Sequence, residues 1–390
     1  MIRVHNSQLP SHVANGLHPL IVRQLTSLDY MFRFFRHLTR QKTANPRSKI
    51  QMFPAIHTWR RGEPARQEYF TFKDGLWHPV EVQGSTIPPG SETPASFQFS
   101  VLSWNIDFMR PHGDARMTGA LQHLHSLTSR HAQPSVIMLN EMTEGDLKLI
   151  KSADWVREHY NITDASPGHW ESPGYGTTML VPRALPIKDV FRMHYERTAM
   201  QRDALCVDVP LPRGRTLRLC TTHLESLKAR PPLRPAQLAA AARLLREAHA
   251  GVLGGDLNAI EPFDRTLHAE NGLRDAYLDS GGVEGAEEGM TWGQMAGRRE
   301  RDRFGLSRMD KILFCGGVRL LGFERFGMDV LMEGTEEERQ ELMDQWAMEK
   351  PWVTDHLGVK AEFHIELADK DEPAEEDGVG QEPGQPEAGS

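Results

Sequence analysis

The chain is short of cysteine, with 3 in 390 residues. Cys206, Cys220 and Cys315 stand far apart inside apolar stretches, without metal-finger spacing and without an even-numbered disulfide framework. A reducing compartment is expected, intracellular and either nuclear or cytoplasmic, with mitochondrial placement left open. No apolar run approaches the ~20 residues that a membrane helix needs, and the first 30 residues lack a signal-peptide core with a cleavage site, so no membrane partner is expected. There is also no bulk positive charge. The formal net charge is −8, and residues 366–390 alone hold nine acids and one base. Residues 1–95 carry twelve bases and six acids, leaving 32 bases and 38 acids in residues 96–365. Nucleic-acid binding by overall charge is therefore not indicated, and any phosphate affinity has to come from a local site. No internal repeat is visible.

What is present divides into three parts. In residues 1–95, Ile21, Leu25, Leu28, Phe32, Phe35 and Leu38 recur at spacings of three and four with arginines between them, which predicts a basic amphipathic helix over Leu20–Arg40. Its apolar stripe suits docking on the main domain better than a membrane or targeting role. The breaker cluster from Ile87 to Pro94 predicts a linker. Residues 96–365 form the expected catalytic domain. There, Phe99–Trp104, Val136–Leu139, Thr177–Val181, Leu217–Thr222, Val252–Gly255, Met309–Phe314 and Leu357–Phe363 predict strands. Met117–Arg130, Gly145–Glu158 and Pro235–Ala250 predict helices, the last starting at a proline suited to a first turn. This is a mixed α/β pattern, and periodicity leaves open whether the sheet is single or paired. Residues 366–390, rich in Glu, Asp, Pro and Gly without apolar period, predict a disordered acidic tail.

Polar groups gather where the apolar runs end. They are Asn105 in Ser103-Trp104-Asn105-Ile106-Asp107, Glu141 after Ile137-Met138-Leu139-Asn140, His223 in Thr222-His223-Leu224-Glu225-Ser226, and Asp256 and Asn258 in Gly254-Gly255-Asp256-Leu257-Asn258. Asp310 follows in Arg308-Met309-Asp310, and Asp355 and His356 in Thr354-Asp355-His356-Leu357. Each has a plain structural reading alone: a turn former, the solvated end of a strand, a satisfied histidine, a cap. Glycines that let backbone approach a ligand, ahead of Asp and Asn two positions apart, make the fourth segment the strongest.

Taken in order, the six segments resemble the endonuclease/exonuclease/phosphatase superfamily from about Phe97 to Phe363. Trp104-Asn105-Ile106-Asp107, Thr222-His223-Leu224-Glu225-Ser226 and Thr291-Trp292 ahead of Arg308-Met309-Asp310 look most like its 5′-tyrosyl-DNA phosphodiesterase branch. The resemblance implies a DNase I-like four-layer α/β sandwich, two central mixed sheets flanked by helices. It also implies a metal-dependent phosphodiester hydrolase, with Mg²⁺ or in its place Mn²⁺, acting on a nucleic-acid end or another phosphodiester. On that basis Glu141 is assigned to the metal, with Asn105 as a ligand or a partner of one and Asp355 as an outer carboxylate. Asp256 is assigned to the attacking water, Asn258 and His223 to the phosphoryl oxygens, and His356, kept cationic by Asp310, to the developing charge. Ser226, Lys228 and Trp292 are candidates for holding the nucleic-acid end, although Trp292 reads equally well as a core aromatic. The chain departs from the family at Asn140, where Gln is usual, at Lys228, where the branch has Arg, and at Ala259-Ile260, where it has Leu-Arg. An abasic-site nuclease, a deadenylase-like RNase or an inositol-phosphate or lipid phosphatase would use the same fold, and a catalytically silent binding module is the reading from a different class.

Overall fold

A computed structural model describes residues 59–82, 96–130 and 133–366. The helix expected over Leu20–Arg40, the linker at 87–94 and the acidic tail beyond Glu366 lie outside the described residues.

The strands, in chain order, are β1 (Pro64–Arg66), β2 (Tyr69–Lys73), β3 (Leu76–Val80), β4 (Ser96–Asn105), β5 (Ser135–Met142), β6 (Tyr160–Ile162), β7 (Gly176–Pro182), β8 (Asp189–His194), β9 (Asp203–Pro210), β10 (Thr216–Thr222), β11 (Ala250–Asp256), β12 (Arg274–Asp275), β13 (Asp310–Gly316), β14 (Val318–Phe326) and β15 (Gly358–Glu366). They form two mixed sheets, a seven-stranded one in the order β1-β8-β9-β10-β11-β13-β12 and an eight-stranded one in the order β14-β15-β4-β5-β7-β6-β2-β3. All seven expected strands are present, and the open question of one sheet or two is settled as two.

Residue alternation explains the layering. On β4, Phe99 and Val101 face the other sheet, where they meet Leu217, Leu219, Val252, Ile312 and Phe314 in a shared core. The intervening Leu102 and Trp104 face outward against Met117, Leu121 and Leu124 of the helix Gly113–Thr128. On β11, Val252 points in while Leu253 points out against Leu238, Ala241 and Leu245 of the helix Arg234–Arg246. Both faces of each sheet are therefore apolar, each fully buried side chain contributing ~1.5–3 kcal/mol, and the order helix–sheet–sheet–helix is a four-layer α/β sandwich.

Three differences from the sequence reading have physical causes. The helix expected over Gly145–Glu158 is broken at Ala153, whose extended backbone separates Glu144–Ser152 from Asp154–His159; the first of these starts with a reciprocal Thr143/Asp146 cap. The sheets also start before residue 96, the boundary expected for the catalytic domain. β1 pairs with β8, and the hairpin β2–β3 extends the other sheet beyond β6. Finally, β8 and β9 carry no simple apolar signature, because Arg192 is buried in them against Asp164 and Asp203. None of the helices among the described residues is long and apolar enough to cross a membrane.

Candidate active site

The alternation that builds the core also delivers the site. Counting by twos from the inward residues Val101, Met138, Leu219 and Val252 leads to Asn105, Asn140, His223 and Asp256, and counting back from Ile312 leads to Asp310. Pairing brings these positions to one end of the sandwich. Parallel β4 and β5 align Asn105 with Asn140, and antiparallel β11 and β13 align Asp256 with Asp310.

Two glycines allow close approach there, Gly254 between the sheets and Gly255 between neighbouring strands of one sheet. A Cβ on Gly254 would stand 2.9 Å from Met138 Sδ, and one on Gly255 would stand 1.8 Å from the Thr222 carbonyl oxygen. Asn140 then ties the sheets together: its Oδ1 accepts from the Asp256 backbone N–H at 2.8 Å and its Nδ2 donates to Thr221 Oγ1 at 3.3 Å. The shorter residue at the family's Gln position thus bonds to the strands that carry Asp256 and His223.

Glu141 escapes the alternation. The β5–β7 register slips between Leu139 and Met142, and Glu141 has φ 60°, a left-handed backbone for a non-glycine residue. Such a bulge re-aims a side chain, at a cost of about 1–3 kcal/mol. The carboxylate turns into the cleft, accepting from Asn105 Nδ2 at 3.2 Å and from the Phe108 backbone N–H at 3.1 Å. Asn105 Oδ1 takes the Asp107 backbone N–H, so its amide presents N–H groups to Glu141 and, at 3.0 Å, to Asp256 Oδ2. Asn105 is therefore a bridge between two carboxylates.

Asp256 is the centre of the site. His223 Nε2 lies 3.3 Å and His356 Nε2 4.0 Å from its Oδ2, while Oδ1 accepts from the Asn258 backbone N–H at 2.8 Å. Burial opposes ionisation of Asp256, but hydrogen bonds from His223 and the Asn258 backbone and the charge of the nearby His356 override it and hold its pKa well below the usual range. Asn258 Nδ2 donates to the Leu224 carbonyl at 3.0 Å, which leaves its second N–H for a ligand.

The two histidines differ in charge. His356 Nδ1 is 2.9 Å from Asp310 Oδ2, across the 46 positions that separate them in the chain. Burial alone would push the His356 pKa down; Asp310, with Asp256 and Asp355 nearby, lifts it well above 6.5. His223 is pulled down to about 4, first by burial and then by the Arg202 guanidinium. Arg202 can only donate, so His223 Nδ1 accepts from it and the ring proton sits on Nε2, facing Asp256. The pair is one imidazolium and one neutral imidazole.

Sequence reasoning missed Arg202, which also lies over the ring of Tyr175, itself stacked on Phe108 at 4.3 Å. It missed Arg110 as well. Neither sits in a local pattern that would mark it. Of the substrate-binding candidates, Ser226 lies beside Met200 and Lys228 forms a partly exposed ion pair with Glu261. Trp292 is different from the stacking platform expected: it is 8% exposed, and its indole N–H donates to Asp355 Oδ2 at 2.8 Å. The core-aromatic alternative describes it, because a ring buried on both faces cannot stack on a base. Asp355 Oδ2 also meets Arg110 Nη2 at 3.2 Å, so this carboxylate is held from behind.

Two groups of side chains have the ligand spacing of a metal centre, Glu141/His223/Asp256 and Asp256/Asp310/His356. The second is already satisfied by its own ion pair. Within the first, the Glu141 carboxyl suits a hard divalent ion, since burial, followed by the charge of Asp107, pushes it up to about 7 and a cation beside it would favour the carboxylate, while His223, with its proton on Nε2, is not a ligand.

The model of the Endonuclease/Exonuclease/phosphatase family matches residues 102–356. Human tyrosyl-DNA phosphodiesterase 2 is 29% identical over 202 residues, which are 50% of this chain and 51% of that protein, so the chain spans about half the length of the curated relative it matches. A humanized D. rerio TDP2 structure superposes with a TM-score of 0.51 at 20% identity, covering 68% of this chain and 98% of that one. The D. rerio TDP2 complexed with single-strand DNA product gives 0.52 at 20% identity, with 68% and 98% covered. These two likenesses concern the fold, while the family match runs from β4 to His356 and takes in every segment of the site, so the chain belongs to the Endonuclease/Exonuclease/phosphatase family.

Proposed function

We propose that this chain is a divalent-metal-dependent phosphodiesterase, with Mg²⁺ or Mn²⁺ held at Glu141, and that its substrate is a phosphodiester at a nucleic-acid end, a 5′-phosphotyrosyl ester above all. The observation that carries the reading is the grouping of His223 and His356 about the Asp256 carboxylate, with Asn258 bonded to Asp256 through its backbone and Glu141 joined to it through Asn105.

In this reading the divalent ion, when bound, supplies positive charge to a nonbridging phosphoryl oxygen. Asp256 orients a water through its carboxylate and takes the water's proton as the oxygen bonds to phosphorus. Its low basicity suits a late transfer, after the attack has made the water acidic. The bond from phosphorus to the leaving oxygen breaks. The His356 imidazolium, His223 Nε2–H and the spare Asn258 N–H meet the negative charge on the phosphoryl oxygens. A tyrosyl phenolate, with a parent pKa of about 10, leaves without a strong general acid, whereas a sugar alkoxide needs more help.

Support for the substrate comes from the quoted motifs and from the 29% identity with a protein named for tyrosyl-DNA. Lys228, ion-paired to Glu261 at the rim, is the group we assign to the nucleic-acid phosphate. The test is hydrolysis of a 5′-phosphotyrosyl oligonucleotide beside abasic duplex, RNA and inositol-phosphate substrates, with and without Mg²⁺. The tyrosyl ester should be turned over fastest and only with the ion. Preference for another substrate would move the chain to a different branch of the family.

A further inference from the structure

Arg110 stands behind the site with a side chain only 1% exposed, and three carboxylates converge on it. Its Nε lies 2.7 Å from Asp107 Oδ2, and its Nη2 lies 3.1 Å from Glu300 Oε2 and 3.2 Å from Asp355 Oδ2. Its Nη1 faces Met348 Sδ at 3.1 Å, and the guanidinium sits 5.2 Å from the centre of the Trp346 ring. The carboxylates come from three separate segments: the loop after β4, the helix Arg298–Phe304 and the loop before β15. Carboxylates gathered around one point, with Asp107 and Asp355 buried and Glu300 partly so, repel unless a cation lies between them, either a side chain or a metal ion. An arginine serves both needs, since it keeps its charge and its planar fork reaches several oxygens. Trp292 Nε1 and Arg110 Nη2 together fill the two lone-pair positions of Asp355 Oδ2.

We propose that Arg110 is a positioning residue that keeps Asp355 out of the coordination shell of the divalent ion and confines that ion to the Glu141 side of the cleft. Arg110 occupies with a fixed charge the place between Asp107 and Asp355 that a second divalent ion would take. This rests on the metal-dependent reading above and reverses the assignment of Asp355 as a metal carboxylate.

The test is Mn²⁺ binding by the full chain, followed by calorimetry and by electron paramagnetic resonance, in wild type, Asp355→Asn, Arg110→Gln and the double variant. Wild type should bind one ion, and Asp355→Asn should bind it with a Kd within about twofold, far from the ~10–100-fold loss that follows removal of a group supporting a metal. Arg110→Gln should gain a second ion, or bind about tenfold more tightly by recruiting Asp355, and the double variant should lose that gain. A tenfold weakening in Asp355→Asn overturns the proposal, and so does an Arg110→Gln protein that folds and binds as wild type does. Should Arg110→Gln fail to fold, Asp355→Asn decides alone. A wild type that binds no Mn²⁺ removes the metal-dependent reading itself; the proposal then stands only if Arg110→Gln acquires an ion that the double variant lacks, and falls otherwise.

Discussion

Asp256 and Glu141 owe their behaviour to what surrounds them. Asp256 is buried yet ionised because His223, His356, Asn105 and the Asn258 backbone N–H compensate it, whereas burial, followed by the charge of Asp107, pushes the Glu141 carboxyl up to about 7. Glu141→Gln and Asp256→Asn should each lower kcat by at least ~10²-fold with little change in stability, checked by steady-state kinetics beside thermal melts. For His356 the sign of the pH effect follows from its partner. In the proposed mechanism the imidazolium is the active form, and Asp310 raises its pKa above 6.5, so activity should fall as pH rises through that raised value. In Asp310→Asn the histidine loses its charge partner, and the alkaline limb of kcat/KM should move to lower pH. Groups that act as a unit lose function non-additively, so Asp310→Asn with His356→Ala should be little worse than His356→Ala alone. Multiplicative losses with an unmoved limb would mean that the two residues act independently.

At the level of the element, the site depends on how closely two strands of one sheet approach each other and how one residue of the other sheet ties them. Gly255→Ala would put a methyl group against the Thr222 backbone, where no rotamer change can relieve it. It should destabilise by about 1–3 kcal/mol or more, and it should disturb His223, the next residue. Asn140→Ala leaves the buried Asp256 N–H without its acceptor, at a cost of about 1–3 kcal/mol. Because that backbone N–H belongs to the residue proposed to hold the attacking water, kcat should fall with stability, read by denaturant titration and kinetics on the same protein; lost stability with unchanged kcat would reduce Asn140 to a structural tie. This level also shows what a sequence makes legible. Runs such as Val252–Gly255 announce their strands, and the polar residue that follows each run announces a site. β8 and β9 stayed hidden because Arg192 and Asp203, which look like surface charges, are buried against partners distant in the chain. The bulge at Glu141 was hidden too, since nothing in Leu139-Asn140-Glu141 marks the φ of 60° that aims the carboxylate. Arg202 and Arg110 could not be found by spacing, as both act through contacts that only the assembled sheets and loops create.

On the scale of the molecule, the sandwich includes residues that composition assigned to an extension. Gln67 donates to the Thr163 carbonyl at 2.9 Å and accepts from Arg192 Nε at 3.2 Å, so the segment carrying β1 is bonded to the buried charge cluster between the sheets. A chain beginning at residue 96 should melt at a lower temperature than the full chain, because it lacks the strands that cover β8 and β6. Removal of residues 368–390 takes away most of the −8 charge held by residues 366–390 and should leave kcat unchanged, with somewhat tighter binding of DNA at low salt. In the proposed mechanism a water attacks phosphorus from the Asp256 side. The most direct test is hydrolysis of a 5′-phosphotyrosyl oligonucleotide in oxygen-18-labelled water, by wild type and Asp256→Asn, with Mg²⁺ and with the ion chelated. The label should appear in the 5′-phosphate and none in the tyrosine, and turnover should fall at least ~10²-fold in Asp256→Asn and on chelation. Label in the tyrosine, or undiminished turnover in either control, would contradict the account.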